Sequence, residues 1–132
     1  MAGLYLDTSA LGRILLAEPD AASIRQRLAR YDAWWSSALL IVELRRLAAR
    51  ENLEAIAERL LSGVRTVAVD AAALERASRL QPSEVRTLDA IHLDAAVELY
   101  GRSEVAAVLT YDRQVQTGCA HHGLPIEAPD VG

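Results

Sequence analysis

The sequence predicts an α/β fold with a mainly parallel central sheet. Two observations carry this. Short apolar, β-branched runs alternate with helical stretches, and those stretches are long enough to serve as crossovers between parallel strands. A third sets the scale: 132 residues, 52% of them hydrophobic, suit one domain spanning 1–132 with a substantial core.

The elements follow in order. Gly3 to Asp7 reads as a short buried strand. Thr8 to Ala17 is helical and Pro19 closes it, after which Asp20 caps a second helix reaching about Arg30. Trp34-Trp35-Ser36 forms a short strand or its entry. Ser37 to Arg50 and Glu51 to Leu61 are helices joined near Asn52, and Gly63 interrupts the pattern. Arg65 to Val69 alternates and is β-branched, hence a strand. Asp70 caps a helix from Ala71 to Leu80, with Pro82 beyond it. Thr87 to Tyr100 is a strong helix that stops at Gly101. Val105 to Leu109 is a Val-rich strand, Arg113 to His122 a helix ended by Gly123, and Leu124 to Glu127 a possible last edge strand.

Composition excludes several classes. All fourteen bases are Arg, so neither a Schiff-base nor a P-loop lysine is available. The single Cys119 excludes an internal disulfide and a Cys-based zinc site. No basic, apolar leader opens the chain and no apolar run approaches the ~18 residues of a membrane span, so a cytoplasmic protein away from membranes is expected. Eighteen acids against fourteen bases give a net charge of −4, which lacks the basic footprint of a nucleic-acid binder.

Ligands of open α/β sheets bind beyond the carboxyl ends of the strands. Asp7 closes the first strand and Asp112 follows the Val105–Leu109 strand, so both stand at that edge. Each alone reads as a helix cap, while together they raise a metal site. On a wheel of about 100° per residue, Leu93, Ala96 and Tyr100 fall within about 40° of Asp89, and Asp94 and Glu98 fall opposite. Asp89 therefore sits on an apolar stripe near a helix N-terminus, where a cation would offset its burial, and Asp94 and Glu98 form the solvated face. Glu43 lies between Leu39, Leu40 and Leu47 on one side and Arg46 and Arg50 on the other. An ion pair with Arg46 and a metal site both remain open for it. Asp70, Asp20 and Asp32 read as cap and turn residues, and Asp130 sits in the tail. His92, about 60° from Asp89 on the wheel, reads as a core or interface histidine, with a place behind the acids as the alternative. Cys119, His121 and His122 lack zinc-ligand spacing.

Four stretches together resemble a known family. They are Leu6-Asp7-Thr8-Ser9-Ala10-Leu11, Ser37-Ala38-Leu39-Leu40-Ile41-Val42-Glu43-Leu44, Arg86-Thr87-Leu88-Asp89-Ala90-Ile91-His92-Leu93 and Leu109-Thr110-Tyr111-Asp112-Arg113. In this order and spacing, with Gly123-Leu124-Pro125 near the end, the chain resembles the PIN-domain ribonucleases, and among them the VapC toxins of type II toxin–antitoxin modules. The resemblance implies a three-layer α/β/α sandwich. It implies Asp7, Glu43, Asp89 and Asp112 gathered around Mg²⁺ or Mn²⁺, with Ser9 and Thr110 as hydroxyl support. It further implies hydrolysis of RNA phosphodiesters to 5′-phosphate and 3′-hydroxyl ends, a homodimer, and a VapB-type antitoxin that covers the groove. Asp112 occupies the position that varies most in the family. Asp94 departs from the pattern, which usually has a small residue there.

Substrate phosphates would then fall to Arg, with Arg13, Arg86 and Arg113 placed near the acidic motifs. Trp34 and Trp35 could stack on bases, but packing is the stronger reading of their place beside a strand. The net charge also changes meaning: up to two divalent cations at the four acids would bring −4 to zero. A phosphoacceptor receiver domain is one rival, with Asp70 as acceptor, but it wants a lysine that is absent. A PIN-like domain that binds RNA or protein without cutting is the other, and the complete acid set argues against it.

Overall fold

A computed structural model describes residues 2–127. Its elements are β1 (Gly3–Leu6), α1 (Thr8–Leu15), α2 (Ala21–Leu28), β2 (Trp34–Ser37), α3 (Leu39–Glu51), α4 (Glu54–Ser62), β3 (Val64–Val67), α5 (Ala71–Ser78), α6 (Thr87–Gly101), β4 (Val105–Leu109) and α7 (Arg113–His121). The four strands lie in the order β3-β2-β1-β4, and every pair is parallel.

That order locates the site. The chain builds outward from β1 through β2 to β3, then returns to place β4 on the other side of β1. The strand order therefore reverses at β1, and a crevice opens beyond the carboxyl ends of β1 and β4. Asp7 and Asp112 follow those two strands, as the sequence predicts.

The side chains of β1 alternate between two cores, which makes three layers. Leu4 and Leu6, with Ala107 and Leu109 of β4, pack against Leu11, Ile14, Ile24, Leu40 and Leu44 from α1, α2 and α3. On the opposite face Tyr5 and Val108 pack against Leu93 and Leu99 of α6 and Val115 and Cys119 of α7. Two glycines permit close approach. A Cβ on Gly3 would stand 2.7 Å from the Glu104 carbonyl, and one on Gly118 would stand 2.3 Å from Leu93 Cδ2.

Several expectations are corrected. α1 stops at Leu15, and Ala17 turns the chain with φ 53° before Pro19 is reached. Asp20 makes no side-chain cap on α2; its carboxylate accepts instead from Arg13 Nε, at 2.9 and 3.1 Å. Ser37 belongs to β2, and α3 begins at Leu39. The segment after Gly123 makes only an isolated parallel bridge, Val108 to Ile126, rather than a strand. Asp94 is buried, not solvated, and its carboxylate accepts from Arg76 Nε and Nη2 at 3.1 and 3.3 Å. The wheel misplaces it because α6 is covered on more than one side, by the sheet, by α7 and by α5, which carries Arg76. Asp130 lies outside the described residues.

Candidate active site

Asp7 is the centre of the arrangement. It is buried at the end of β1 and makes no side-chain cap on α1. Its Oδ1 accepts from Ser9 Oγ at 2.6 Å and its Oδ2 accepts a short bond from Thr110 Oγ1. Ser9 and Thr110 thus support it from both sides, and Ser9 Oγ also accepts from the Tyr111 N–H at 2.7 Å. Burial pushes the Asp7 carboxyl above its ordinary range, against the opposing effects of His92, Ser9 and Thr110.

Asp89 and Asp112 form the outer part with Glu43. These three carboxylates line one open groove of about 780 Å³ together with Arg86 and the loop before α6. Asp112 does cap α7, accepting from the Gln114 and Val115 N–H groups, both on Oδ1. Asp89, in the first turn of α6, is raised by burial first and then by the charges of Asp112 and Asp7, with Arg86 pulling the other way. Like charges are thus held near one another, an unfavourable arrangement that a cation relieves.

Glu43 departs from the ion-pair reading left open by the sequence. Its partner is not Arg46. Oε1 accepts from Thr8 Oγ1 at 2.6 Å and from His92 Nε2 at 2.7 Å. Burial acts to raise its carboxyl, but the hydrogen bonds from His92 and Thr8 outweigh that and hold it below the ordinary value. Thr8 and His92 were not singled out for this role by the motifs. Their signal is positional: Thr8 follows Asp7, and His92 stands one helical turn after Asp89.

The three arginines differ in their engagement. Arg86 Nε lies 3.7 Å from Asp89 Oδ2, with its side chain largely exposed. Its backbone N–H is held by Gln114 Oε1 at 2.8 Å, which ties the loop to α7. Arg13 is committed to Asp20 and lies over the Tyr111 ring at 4.8 Å. Arg113 opens α7 on the exposed side. Trp34 packs against the core and donates from Nε1 to the Leu28 carbonyl, whereas Trp35 lies beneath Arg65.

Among the described residues, no three His, Cys, Asp or Glu side chains are grouped so that they could enclose a metal ion by themselves. An all-oxygen set of this kind suits a hard, water-rich cation such as Mg²⁺, which commonly takes one or two carboxylates and keeps several waters. It does not suit zinc. Cys119 is buried, with its thiol pushed up to about 12 by that burial, and His122 donates from Nε2 to the Gln81 carbonyl at 2.6 Å.

The PIN domain family profile matches residues 4–117. Ribonuclease VapC47 of Mycobacterium tuberculosis (strain CDC 1551 / Oshkosh) is 33% identical, covering 96% of this chain and 96% of its own. Ribonuclease VapC46 of Mycobacterium tuberculosis (strain ATCC 25618 / H37Rv) is 34% identical, covering 98% and 99%. The chain belongs to the VapC family of PIN-domain proteins. Its fold agrees with two solved structures. VapC20 of Mycobacterium tuberculosis, described as a Sarcin–Ricin loop cleaving toxin, superposes with a TM-score of 0.71 at 18% identity, covering 96% of this chain and 99% of that one. A toxin–antitoxin complex from Klebsiella pneumoniae gives 0.64 at 20% identity, covering 83% and 86%. Asp7 follows β1, Glu43 lies on α3, Asp89 on α6, and Asp112 between β4 and α7. No helix among the described residues is long and apolar enough to cross a membrane.

Proposed function

We propose that the chain is a divalent-metal-dependent endoribonuclease, the toxin of a toxin–antitoxin pair. The observation that carries the reading is the meeting of Glu43, Asp89 and Asp112 in one groove, with buried Asp7 close enough for its charge to act on Asp89. The VapC relatives favour RNA as the substrate.

Asp7 and Asp89 are the residues that would hold Mg²⁺ or Mn²⁺, with Glu43 and Asp112 completing the set directly or through water. Such a cation, when bound, supplies Lewis-acid activation of water and neutralises charge on the phosphodiester. The chain's own groups do the rest. Ser9 and Thr110 fix both oxygens of Asp7, so its geometry is set before any ligand arrives. Asp112 is held by the first turn of α7. Arg86, 3.7 Å from Asp89 and largely exposed, could turn to a substrate phosphate, with Arg113 at the start of α7 as a second candidate and Arg13 held by Asp20.

The antitoxin reading has its own support. A second groove of about 530 Å³ runs between α1, α2 and α4, lined by Leu11, Ile14, Leu28, Trp34, Ile56 and Leu60, with Arg25 and Arg59 beside it. It suits an antitoxin segment with an apolar face flanked by acids. The reading also includes a homodimer and a cytoplasmic location.

Expression of the chain alone should arrest growth. Co-expression of its cognate antitoxin, or the substitution Asp7→Asn, should relieve the arrest. Arrest that persists undiminished with Asp7→Asn would contradict the mechanism.

A further inference from the structure

The buried His92 is the group the proposed chemistry does not use. It projects from α6 into the interior and has both ring nitrogens engaged. Nδ1 lies 2.7 Å from the Tyr5 hydroxyl and Nε2 lies 2.7 Å from Glu43 Oε1. Tyr5 is itself fixed, because its hydroxyl oxygen accepts from the Ser37 N–H at 3.1 Å. The Glu43 carboxylate accepts from Nε2, and with the ring proton placed there Nδ1 accepts from the Tyr5 O–H.

The chain of bonds therefore runs from the end of β2, through β1, to α6 and on to α3. It joins the elements that carry the acids. At its far end two donors, Thr8 Oγ1 and His92 Nε2, converge on one oxygen of Glu43. Oε2 receives neither bond.

We propose that His92, held by Tyr5, is a positioning residue that presents Glu43 to the metal by occupying Oε1 and leaving Oε2 for the cation or its water. A core histidine needs only partners; this one spends a donor on a carboxylate that lines the groove, on a side chain one-quarter exposed. Hydrogen bonds to ligating carboxylates set their orientation, and their loss commonly weakens metal binding about 10–100-fold. The inference rests on the metal reading above.

The test is Mn²⁺ binding to the full chain by calorimetry, without RNA, beside the thermal midpoint of each variant. Gln can place an amide N–H near the position of Nε2, whereas Asn falls short. His92→Asn should weaken Mn²⁺ binding about 10–100-fold, and His92→Gln should recover most of it. In a Glu43→Gln background, His92→Asn should have no further effect on Mn²⁺. Tyr5→Phe, which keeps the ring packing, should weaken binding about tenfold and serves if His92→Asn does not fold. Wild type that binds Mn²⁺ in an Asp7-dependent way, with His92→Asn or Tyr5→Phe binding equally well, overturns the positioning role and leaves the metal reading intact. Wild type that binds no Mn²⁺, or binding indifferent to Asp7→Asn, overturns both.

Discussion

Thr110 and Asp7 are 103 residues apart in the chain and joined by a short hydrogen bond at the carboxyl edge of the sheet. The bond spans the adjacent strands β1 and β4 and holds a carboxylate that burial would otherwise disfavour. Burial raises the Asp7 carboxyl, so the folded chain binds protons there more tightly than the unfolded chain does. By linkage, the ionised Asp7 lowers stability as pH rises through its folded value. Asp7→Asn should therefore raise the thermal midpoint of the metal-free protein at pH 7.5. It should also abolish stabilisation by Mn²⁺. Thermal melts with EDTA and with Mn²⁺ check both, and a lower midpoint for the variant in EDTA would contradict the account.

The same sign governs metal binding. Asp7 and Asp89 both have raised carboxyls, so protons compete with the cation at a higher pH than ordinary carboxylates near 4 would allow. Mn²⁺ affinity should fall as pH drops through those raised values. Calorimetry from pH 7.5 down to 4.5 measures it. Affinity that stays constant until the ordinary carboxylate range is reached would contradict the account.

Asp94 belongs to the scaffold. Its side chain is 4% exposed and is met by Arg76 from α5. Arg76→Leu strands a buried charge and should cost about 3 kcal/mol at pH 7, the low end for breaking a buried pair, because Arg76 is itself partly exposed. Burial already raises the Asp94 carboxyl, so acid should protonate it and shrink the loss. Denaturant melts at pH 7 and pH 5 test this. An equal loss at both pH values would argue against a stranded charge.

The sequence alone locates individual acids along the fold, but not their side-chain partners, for one physical reason. Strand ends, caps and the order of the acidic motifs are local, so Asp7 and Asp112 are set at the sheet edge, and Asp89 near a helix N-terminus, by counting. The partners of Glu43 are not local: His92 stands 49 positions away and Thr8 stands 35 positions away. A wheel offers only neighbours on the same helix, hence the competing Arg46. Asp94 fails in the same manner. One helix contacting the sheet, α5 and α7 has no single solvated face, so periodicity could not say which carboxylate is free.

Gly118 is a packing test independent of the chemistry. A Cβ there would meet a terminal methyl of Leu93, which is fully buried. Gly118→Ala should destabilise by about 1–3 kcal/mol through overpacking between α6 and α7, despite the better helix propensity of Ala. Chemical denaturation measures it, and a neutral or stabilising result would show that the interface yields.

Metal-dependent RNA cleavage by the four carboxylates is directly measurable. The most direct measurement is incubation of purified protein with cellular RNA and Mg²⁺ or Mn²⁺, followed by sequencing of the new 5′ ends. The account predicts discrete 5′-phosphate ends with wild type, their loss in EDTA, and their loss with Asp7→Asn and with Asp89→Asn. Cleavage that persists in both variants, or that proceeds undiminished in EDTA, would contradict it.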